Sequence, residues 1–231
     1  MSEGPLVSVI VPVLDEAAIL GALLDHLSWL PGYFEVLVAD GGSRDGSLEI
    51  AGGHPLEARV VEAPRGRATQ LGAGAAGATG EALLFLHADT RLPPTAHAQL
   101  ASALADPDCV GGNFALRFDG DDLMSRMLGA WYAAQRRLSI YYGDSAIWVR
   151  ASAFHELGGF RPLPIMEDYD FVRRLEHHGR TRCLPGPAVT SARRWQRLGI
   201  PRTVFAWVAI RWLFLAGVDP ARLARLYPHA R

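Results

Sequence analysis

Three short apolar runs, Val7 to Val13, Phe34 to Ala39 and Ala82 to His87, each give way within a few residues to acids: Asp15 and Glu16, Asp40, and Asp89. Runs this short cannot stand as independent helices and suit strands covered on both faces. Helical periods lie between them. Ile19 to Trp29 places Ile19, Leu20, Leu23, Leu24 and Leu27 on one face, a short helix is expected near Ser47 to Ala51, and Ala68 to Ala78 reads as a small-residue helix. With Arg59 to Glu62 as a further strand, the repeated βα units predict an α/β fold: a doubly wound, mostly parallel sheet with helices on both faces. Ligands of such sheets bind outside the carboxyl ends of the strands, which is where these acids fall.

Past Pro107 the pattern changes. Val110 to Phe118 alternates, Leu123 to Leu138 has a helical period, and Tyr142 to Ser145 opens a strand that continues through Ala146 to Val149. Gly158, Gly159 and Phe160 read as a turn, Asp168 to His177 as an amphipathic helix, and Thr203 to Gly217 as a very apolar one.

Composition removes several classes of chemistry. All 23 basic residues are Arg, so P-loop, Schiff-base and kinase-type lysines are excluded. A net charge of −1 gives no bulk attraction to nucleic acid, although Arg193 to Arg231 holds eight arginines against Asp219 alone. Cys109 and Cys183 have neither disulfide-framework nor zinc spacing, and a reducing cytoplasm is expected. The first residues lack a basic n-region, and no segment reaches the roughly 20 apolar residues of a membrane span.

The polar clusters carry the chemistry. Asp89 can hold a hard cation and, through it, phosphate oxygens, or it can cap the turn before Pro93 and Pro94. Asp40, with Gly41 and Gly42 beside it, is placed to accept an N–H or a ribose hydroxyl, while Ser43 and Asp45 read as helix caps. Arg65 and Arg67 stand at a loop-to-helix junction suited to a diphosphate or a base oxygen, or they form a solvated turn. Gly72, Gly74 and Gly77 spell G-x-G-x-x-G, but inside a helical run and without the acid a dinucleotide site needs, so close helix-on-sheet packing is expected there. Glu167 and Asp168 follow a Pro-bounded apolar loop where one of them could be desolvated toward a working base, and Asp170 reads as a helix-dipole partner. Arg194 beside Trp195 pairs a phosphate clamp with a sugar-stacking ring.

In this order, V-S-V-I-V-P with Asp15 and Glu16, A-D-G-G-S-R-D-G-S, G-R-A-T-Q, L-H-A-D-T, G-G-F, M-E-D and R-R-W resemble the family 2 glycosyltransferases of GT-A fold. Among these they are similar to the small bacterial radical-SAM/selenodomain-associated transferases. The resemblance runs from Val7 to Trp195. It implies a transferase domain over 1–200, with a nucleotide-binding half to about residue 106 and an acceptor half beyond, and a helical extension over 201–231. It implies metal-dependent, inverting transfer from a nucleoside-diphosphate sugar, UDP-linked, to a small-molecule or lipid-linked acceptor. Asp40 would accept a uracil imide N–H beside the backbone of Pro12, with Arg67 nearby and Asp15 and Glu16 in the same donor loops. Asp89 would bind Mn2+ or Mg2+. Asp168 would be the base, with Glu167 as the second choice, and Arg194 and Trp195 would close over the substrates.

The chain departs from the pattern at His87, where many relatives have the first Asp of D-x-D, and at Ser191, where processive relatives have Gln. A sugar-phosphate nucleotidyltransferase is the first alternative, but Val11 to Glu16 lacks the Gly-rich basic loop it needs. A non-catalytic nucleotide-sugar-binding protein at a membrane surface is the second. The expected location is the cytoplasm, and the helix over 203–217 is expected to pack on its own domain, to meet a second subunit or to contact the inner membrane face. Flanking Arg202, Arg222 and Arg225 favour an anionic surface, and Arg211 in mid-segment opposes a span.

Overall fold

The computed structural model describes residues 4–120, 122–191 and 200–226. Eight strands, β1 (Val7–Val13), β2 (Phe34–Asp40), β3 (Arg59–Glu62), β4 (Ala82–Phe85), β5 (Thr90–Arg91), β6 (Cys109–Phe118), β7 (Ile147–Arg150) and β8 (Arg180–Thr190), form one sheet ordered β3-β2-β1-β4-β7-β6-β8-β5. The β3-β2-β1-β4 half and the β6-β8 pair are parallel, and β7 runs antiparallel to both its neighbours. The sheet is thus mixed but mostly parallel, as the βα repeats predict.

Side chains of β1 alternate between two cores. Val7, Val9, Val11 and Val13 meet Leu20, Leu23, Leu24 and Leu27 of α1 (Ala17–Ser28), whereas Ile10 joins Leu71 and Ala75 of α3 (Arg67–Gly77) on the other face. Burial on both faces explains why the runs read as continuous apolar segments. Gly74 lies where α3 crosses β1: a Cβ there would stand 2.5 Å from Ile10 Cγ2. Gly74 therefore serves packing, as expected, with Gly77 in looser contact, where a Cβ would stand 3.3 Å from Leu37 Cδ2.

Pro12 opens the sheet. β1 pairs with β2 along its whole length, from Val7↔Phe34 to Val13↔Asp40, but with β4 only from Val7↔Ala82 to Ile10↔Phe85. The last β1–β4 bond runs from Leu86 N–H to the Ile10 carbonyl at 3.0 Å. The next would need an N–H at position 12, which proline lacks. The two strands part there, between the halves of the sheet that wind in opposite directions, and leave a crevice at their carboxyl ends. β4 accordingly stops at Phe85 rather than His87, whose carbonyl turns to accept Thr90 N–H at 3.0 Å.

Other departures from the sequence reading have local causes. Tyr142 to Ser145 does not begin a strand: Gly143–Ser145 is a 3-10 turn, and Ala146 at φ 51° precedes β7. The long strand β8 is hidden by Pro185, Gly186 and Pro187, which a strand reading discounts. These residues sit where Leu184 pairs with Phe114 and Ala188 with Leu116, so the prolines fall in a bulge that needs no N–H. Also unread were β5, α4 (Ala96–Leu104) and α6 (Ala151–Glu156). A third apolar cluster joins α5 (Leu123–Arg136), α7 (Glu167–His178) and the C-terminal α8 (Ile200–Leu215) and α9 (Pro220–Leu226) through Leu128, Tyr132, Tyr142, Tyr169, Ile210 and Leu223. Among the described residues no helix is long and apolar enough to cross a membrane.

The α3 packing gives a test within one helix. Gly74→Ala should lower stability by about 1–3 kcal/mol through overpacking against Ile10. Gly72→Ala, with nothing within 4 Å of its new Cβ, should raise it by about 0.5–1 kcal/mol through helix propensity. Urea midpoints of the two variants check both signs.

Candidate active site

The loops after β1 and β2 are tied to each other. Asp15 N–H donates to Ser43 Oγ at 3.0 Å, and Asp15 Oδ1 accepts Arg44 N–H at 2.8 Å. Glu16 N–H donates to Ser47 Oγ at 3.0 Å. Asp45 acts as the expected cap, but across elements: it accepts Ala17 N–H of α1 at 2.9 Å and Ser47 N–H of α2 (Ser47–Gly53) at 3.1 Å. Ser43 does not cap a helix; its hydroxyl joins Asp40 to the Asp15 N–H. Asp40 is buried, and its carboxylate accepts Gly42 N–H at 2.8 Å, Ser43 N–H at 3.0 Å and the Ser43 hydroxyl. These donors replace the water its charge has lost. Gln70, one turn into α3, donates to the carbonyls of Val13 at 2.7 Å and Ala39 at 3.0 Å and so holds the ends of β1 and β2 together.

One turn earlier, at the start of α3, Arg67 extends toward the start of α7. Its Nε lies 3.1 Å from Oε1 of Glu167, which is only 4% exposed. The guanidinium is held charged above its ordinary pKa, first by Glu167 and then, against burial, by Asp168, Asp144 and Asp89. Burial pushes the Glu167 carboxyl up, Arg67 pulls it down, and Asp168 pushes it up again. The crevice thus gathers four carboxylates from three segments around one guanidinium.

Each carboxylate has its own setting. Asp168 Oδ2 accepts Gly143 N–H at 2.8 Å, and Oδ1 accepts Tyr169 N–H at 2.7 Å. Asp144 Oδ2 accepts the Tyr132 hydroxyl at 2.9 Å. Asp89 is exposed on the turn after β4 and, among the described residues, accepts only a long 3.4 Å bond from Thr90 Oγ1. His87 packs against the 3-10 turn: a Cβ on Gly143 would stand 2.9 Å from His87 Nε2 and 3.2 Å from Asp168 Oδ2. Non-glycine residues in the left-handed region, Asp15 (φ 55°), Ala146 (φ 51°) and Met166 (φ 65°), lie beside these groups. Such backbone costs about 1–3 kcal/mol per residue and persists where its surroundings fix it. Asp170 belongs to another structure. It pairs with Arg161 at 3.1 Å and Arg174 at 2.9 Å, and Arg174 donates to the carbonyls of Leu157 and Gly159, binding the G-G-F turn to α7.

The fold brings together Arg67, Asp89, Glu167 and Asp168, with Asp40, Asp15 and Glu16 on the adjoining loops and Pro12 at the mouth of the split. Arg194 and Trp195 lie outside the described residues. Residues 8–163 match the family described as Glycosyl transferase family 2. The chain belongs to that family. Glu167 and Asp168 lie just past the matched stretch, on the first turn of α7.

Relatives agree with a glycosyltransferase. The PGL/p-HBAD biosynthesis glycosyltransferase of Mycobacterium tuberculosis is 29% identical over 198 residues, covering 81% of this chain and 73% of that protein. The mannosyltransferase PcManGT from Pyrobaculum calidifontis, solved in complex with GDP-Man and Mn2+, superposes with a TM-score of 0.65 at 26% identity over 82% of this chain. S. aureus TarS, residues 1–349 with UDP-GlcNAc, shares the fold at a TM-score of 0.64 and 16% identity over 80% of this chain. The transferase spans 57% and 58% of those two solved chains.

Gln70, Tyr132, Gly143 and Asp144 were given no role from the sequence. Gln70 had a signal, since it lies one turn from Arg67 in G-R-A-T-Q. Tyr132 had none, because its partner is reached only through the tertiary fold.

The Arg67–Glu167 pair predicts an asymmetry. Arg67→Met leaves a buried carboxylate without its cation and should cost about 3 kcal/mol at neutral pH. Adding Glu167→Gln should recover at least ~1 kcal/mol, because the most buried of the carboxylates no longer stands there unpaired. In the Arg67→Met protein alone, Glu167 keeps its proton to higher pH in the native state than in the unfolded chain. Its stability deficit should therefore shrink as pH falls toward the ordinary carboxylate range. Urea titrations of the three variants across pH check the order and the sign.

Proposed function

We propose that the transferase moves a sugar from a nucleoside-diphosphate donor, UDP-linked, to an acceptor hydroxyl with inversion and with the help of a divalent cation. The observation that carries this reading is the gathering of Asp89, Asp144, Glu167 and Asp168 around Arg67 at the split end of the sheet. The Pyrobaculum mannosyltransferase supports both a nucleotide sugar and a metal.

The donor set fits a cation shared with a ligand. Among the described residues no group of three His, Cys, Asp or Glu side chains is placed to hold a metal. An exposed carboxylate with open lone pairs stands at Asp89. Asp89 would hold Mn2+ or Mg2+ jointly with the donor diphosphate. When bound, the cation neutralises charge on the departing diphosphate.

The remaining roles belong to the chain's own atoms. Asp40 keeps a lone pair for an imide N–H of the base beyond the donors it already accepts, with Pro12, Asp15 and Glu16 framing that end. Asp168 takes the acceptor proton. The Gly143 N–H at 2.8 Å fixes the direction of its Oδ2, and the deprotonated oxygen attacks the anomeric carbon in line, opposite the leaving diphosphate. Glu167, held by Arg67, positions that guanidinium rather than acting as the base. Arg194 and Trp195 would close the site over donor and acceptor. The transferase unit is assigned to 1–200 and the extension to 201–231, in the radical-SAM/selenodomain-associated subgroup. Its place is the cytoplasm, at the inner membrane face, where a lipid-linked acceptor is presented.

Titration calorimetry should show UDP binding strengthened by Mn2+ in the natural protein and hardly at all in Asp89→Ala. Equal enhancement in both would remove Asp89 from the metal. A panel of sugar nucleotides, with donor hydrolysis measured in the absence of acceptor, decides the base and the sugar.

Asp168→Asn should keep donor affinity and lose turnover by at least ~10²-fold, the lower end for loss of a general base. Near-normal turnover in Asp168→Asn would pass the role to Glu167.

A further inference from the structure

Helix α7 has a second chemistry on its other side. Asp170, Arg173, Arg174 and His177 recur at i, i+3, i+4 and i+7, so they form one stripe of the helix. That stripe lies roughly half a turn around the helix from Asp168. With Arg161, which follows the G-G-F turn, these residues line a cavity of about 440 Å3. None of the carboxylates gathered around Arg67 belongs to it.

The cavity carries surplus positive charge. Three arginines against one aspartate leave a net charge of +2 on its lining. Both Asp170 oxygens are taken, Oδ1 by Arg161 Nη1 at 3.1 Å and Oδ2 by Arg174 Nε at 2.9 Å. Arg174 is anchored as a floor, because its other two nitrogens donate to the carbonyls of Leu157 at 2.9 Å and Gly159 at 2.7 Å. Arg161 spends a single nitrogen on Asp170, and its side chain is 61% exposed. The Arg173 guanidinium is exposed and makes no hydrogen bond or ion pair among the described residues. Glu156, on the neighbouring α6, is already paired with His178 at 3.1 Å. His177 donates from Nδ1 to the Arg173 carbonyl at 2.6 Å, which leaves Nε2 for a ligand.

Two guanidinium forks from separate elements thus converge on one concavity with donors to spare. Such forks match phosphate oxygens in pairs. The volume suits a small molecule, whereas a nucleic acid needs an extended basic track that a chain of net charge −1 does not supply here.

We propose that this cavity is a second ligand site, which takes a small phosphorylated molecule carrying two or more negative charges. Arg161 and Arg173 hold the phosphate, and His177 Nε2 stands at its edge. The site shares no side chain with the crevice, so it does not depend on the transferase reading.

Titration calorimetry of the full chain with inorganic pyrophosphate tests it, in EDTA and at constant ionic strength set with chloride. EDTA withholds the cation through which the crevice would take a diphosphate. One saturable binding event is expected. Arg173→Gln, which breaks no contact in the protein, should weaken it by at least ~10-fold, the loss expected for hydrogen bonds to a charged group. Pyrophosphate should also raise the melting temperature of the natural protein more than that of Arg173→Gln. Absence of saturable binding, or unchanged affinity in Arg173→Gln, would overturn the proposal. So would binding to phosphatidic acid vesicles that pyrophosphate does not displace, since the phosphate would then belong to a lipid headgroup. UDP binding in the presence of Mn2+, measured on the same Arg173→Gln protein, reports the transferase reading separately.

Discussion

At Pro12 the central strand has no N–H to offer β4, and the crevice that holds the functional residues starts there. A donor at that position would extend the ladder past Ile10↔Phe85 and draw the ends of β1 and β4 together. With the ladder stopped, β4 turns at His87 and carries Asp89 outward, while β1 stays paired to β2 up to Val13↔Asp40. The opening on one side needs a clasp on the other. Gln70 provides it by donating to Val13 and Ala39, and the zipped loops from Asp15 to Ser47 extend the hold. A single missing donor thus sets where the sheet is closed and where it can admit a ligand.

Charge then decides what the crevice accepts. Asp40 is compensated by the N–H groups of its own turn, and Asp170 by two arginines outside the crevice. Glu167 alone is compensated across the crevice, by Arg67, which ties α3 in the first half of the chain to α7 in the second. Desolvation raises the Glu167 pKa against the pull of Arg67, so the buried carboxylate and the guanidinium require each other. Asp168, one residue on, is half-buried and, among the described residues, accepts hydrogen bonds from the backbone N–H groups of Gly143 and Tyr169. That leaves lone pairs for a substrate proton, which is the physical distinction between the two acids.

Much of this was legible in the sequence, for a stated reason. Strands buried on both faces write themselves as apolar runs, and the acids that follow them fall at the ligand edge of the sheet, so Asp40 and Asp89 could be placed there without coordinates, while Glu167 and Asp168 stand out by the Pro-bounded loop that opens α7. The reading failed where pairing decides structure. β8 carries Pro185 and Pro187 in a bulge, and only its partner β6 makes it a strand. Gly143 to Ser145 looked like strand because Ala146 to Val149 is one, but the αL turn at Ala146 separates them. Ser43 looked like a cap because Ser usually is one at such a position, whereas here the buried Asp40 takes its hydroxyl. In each case a long-range partner overrode a local preference.

The C-terminal helix bears on the site from behind. Tyr142 stacks on Tyr169 at 5.6 Å and meets Trp207 of α8 edge-on at 5.4 Å, and Arg211 lies beside its hydroxyl. Tyr142 also directly precedes Gly143, whose N–H orients Asp168. Tyr169 follows Asp168 in the chain. The aromatic pair thus grips the two backbone segments that set the direction of the Asp168 carboxylate, and α8 closes over that pair. Burial raises the Tyr142 pKa well above its ordinary value, so the phenol stays neutral at physiological pH and acts by packing and hydrogen bonding. An element outside the matched family stretch, Ile200–Leu215, therefore has a structural route to the Asp168 carboxylate. Displacing α8 would loosen the Tyr142–Tyr169 stack before it disturbed the loops after β1 and β2, because those loops are held separately by Gln70 and Asp45.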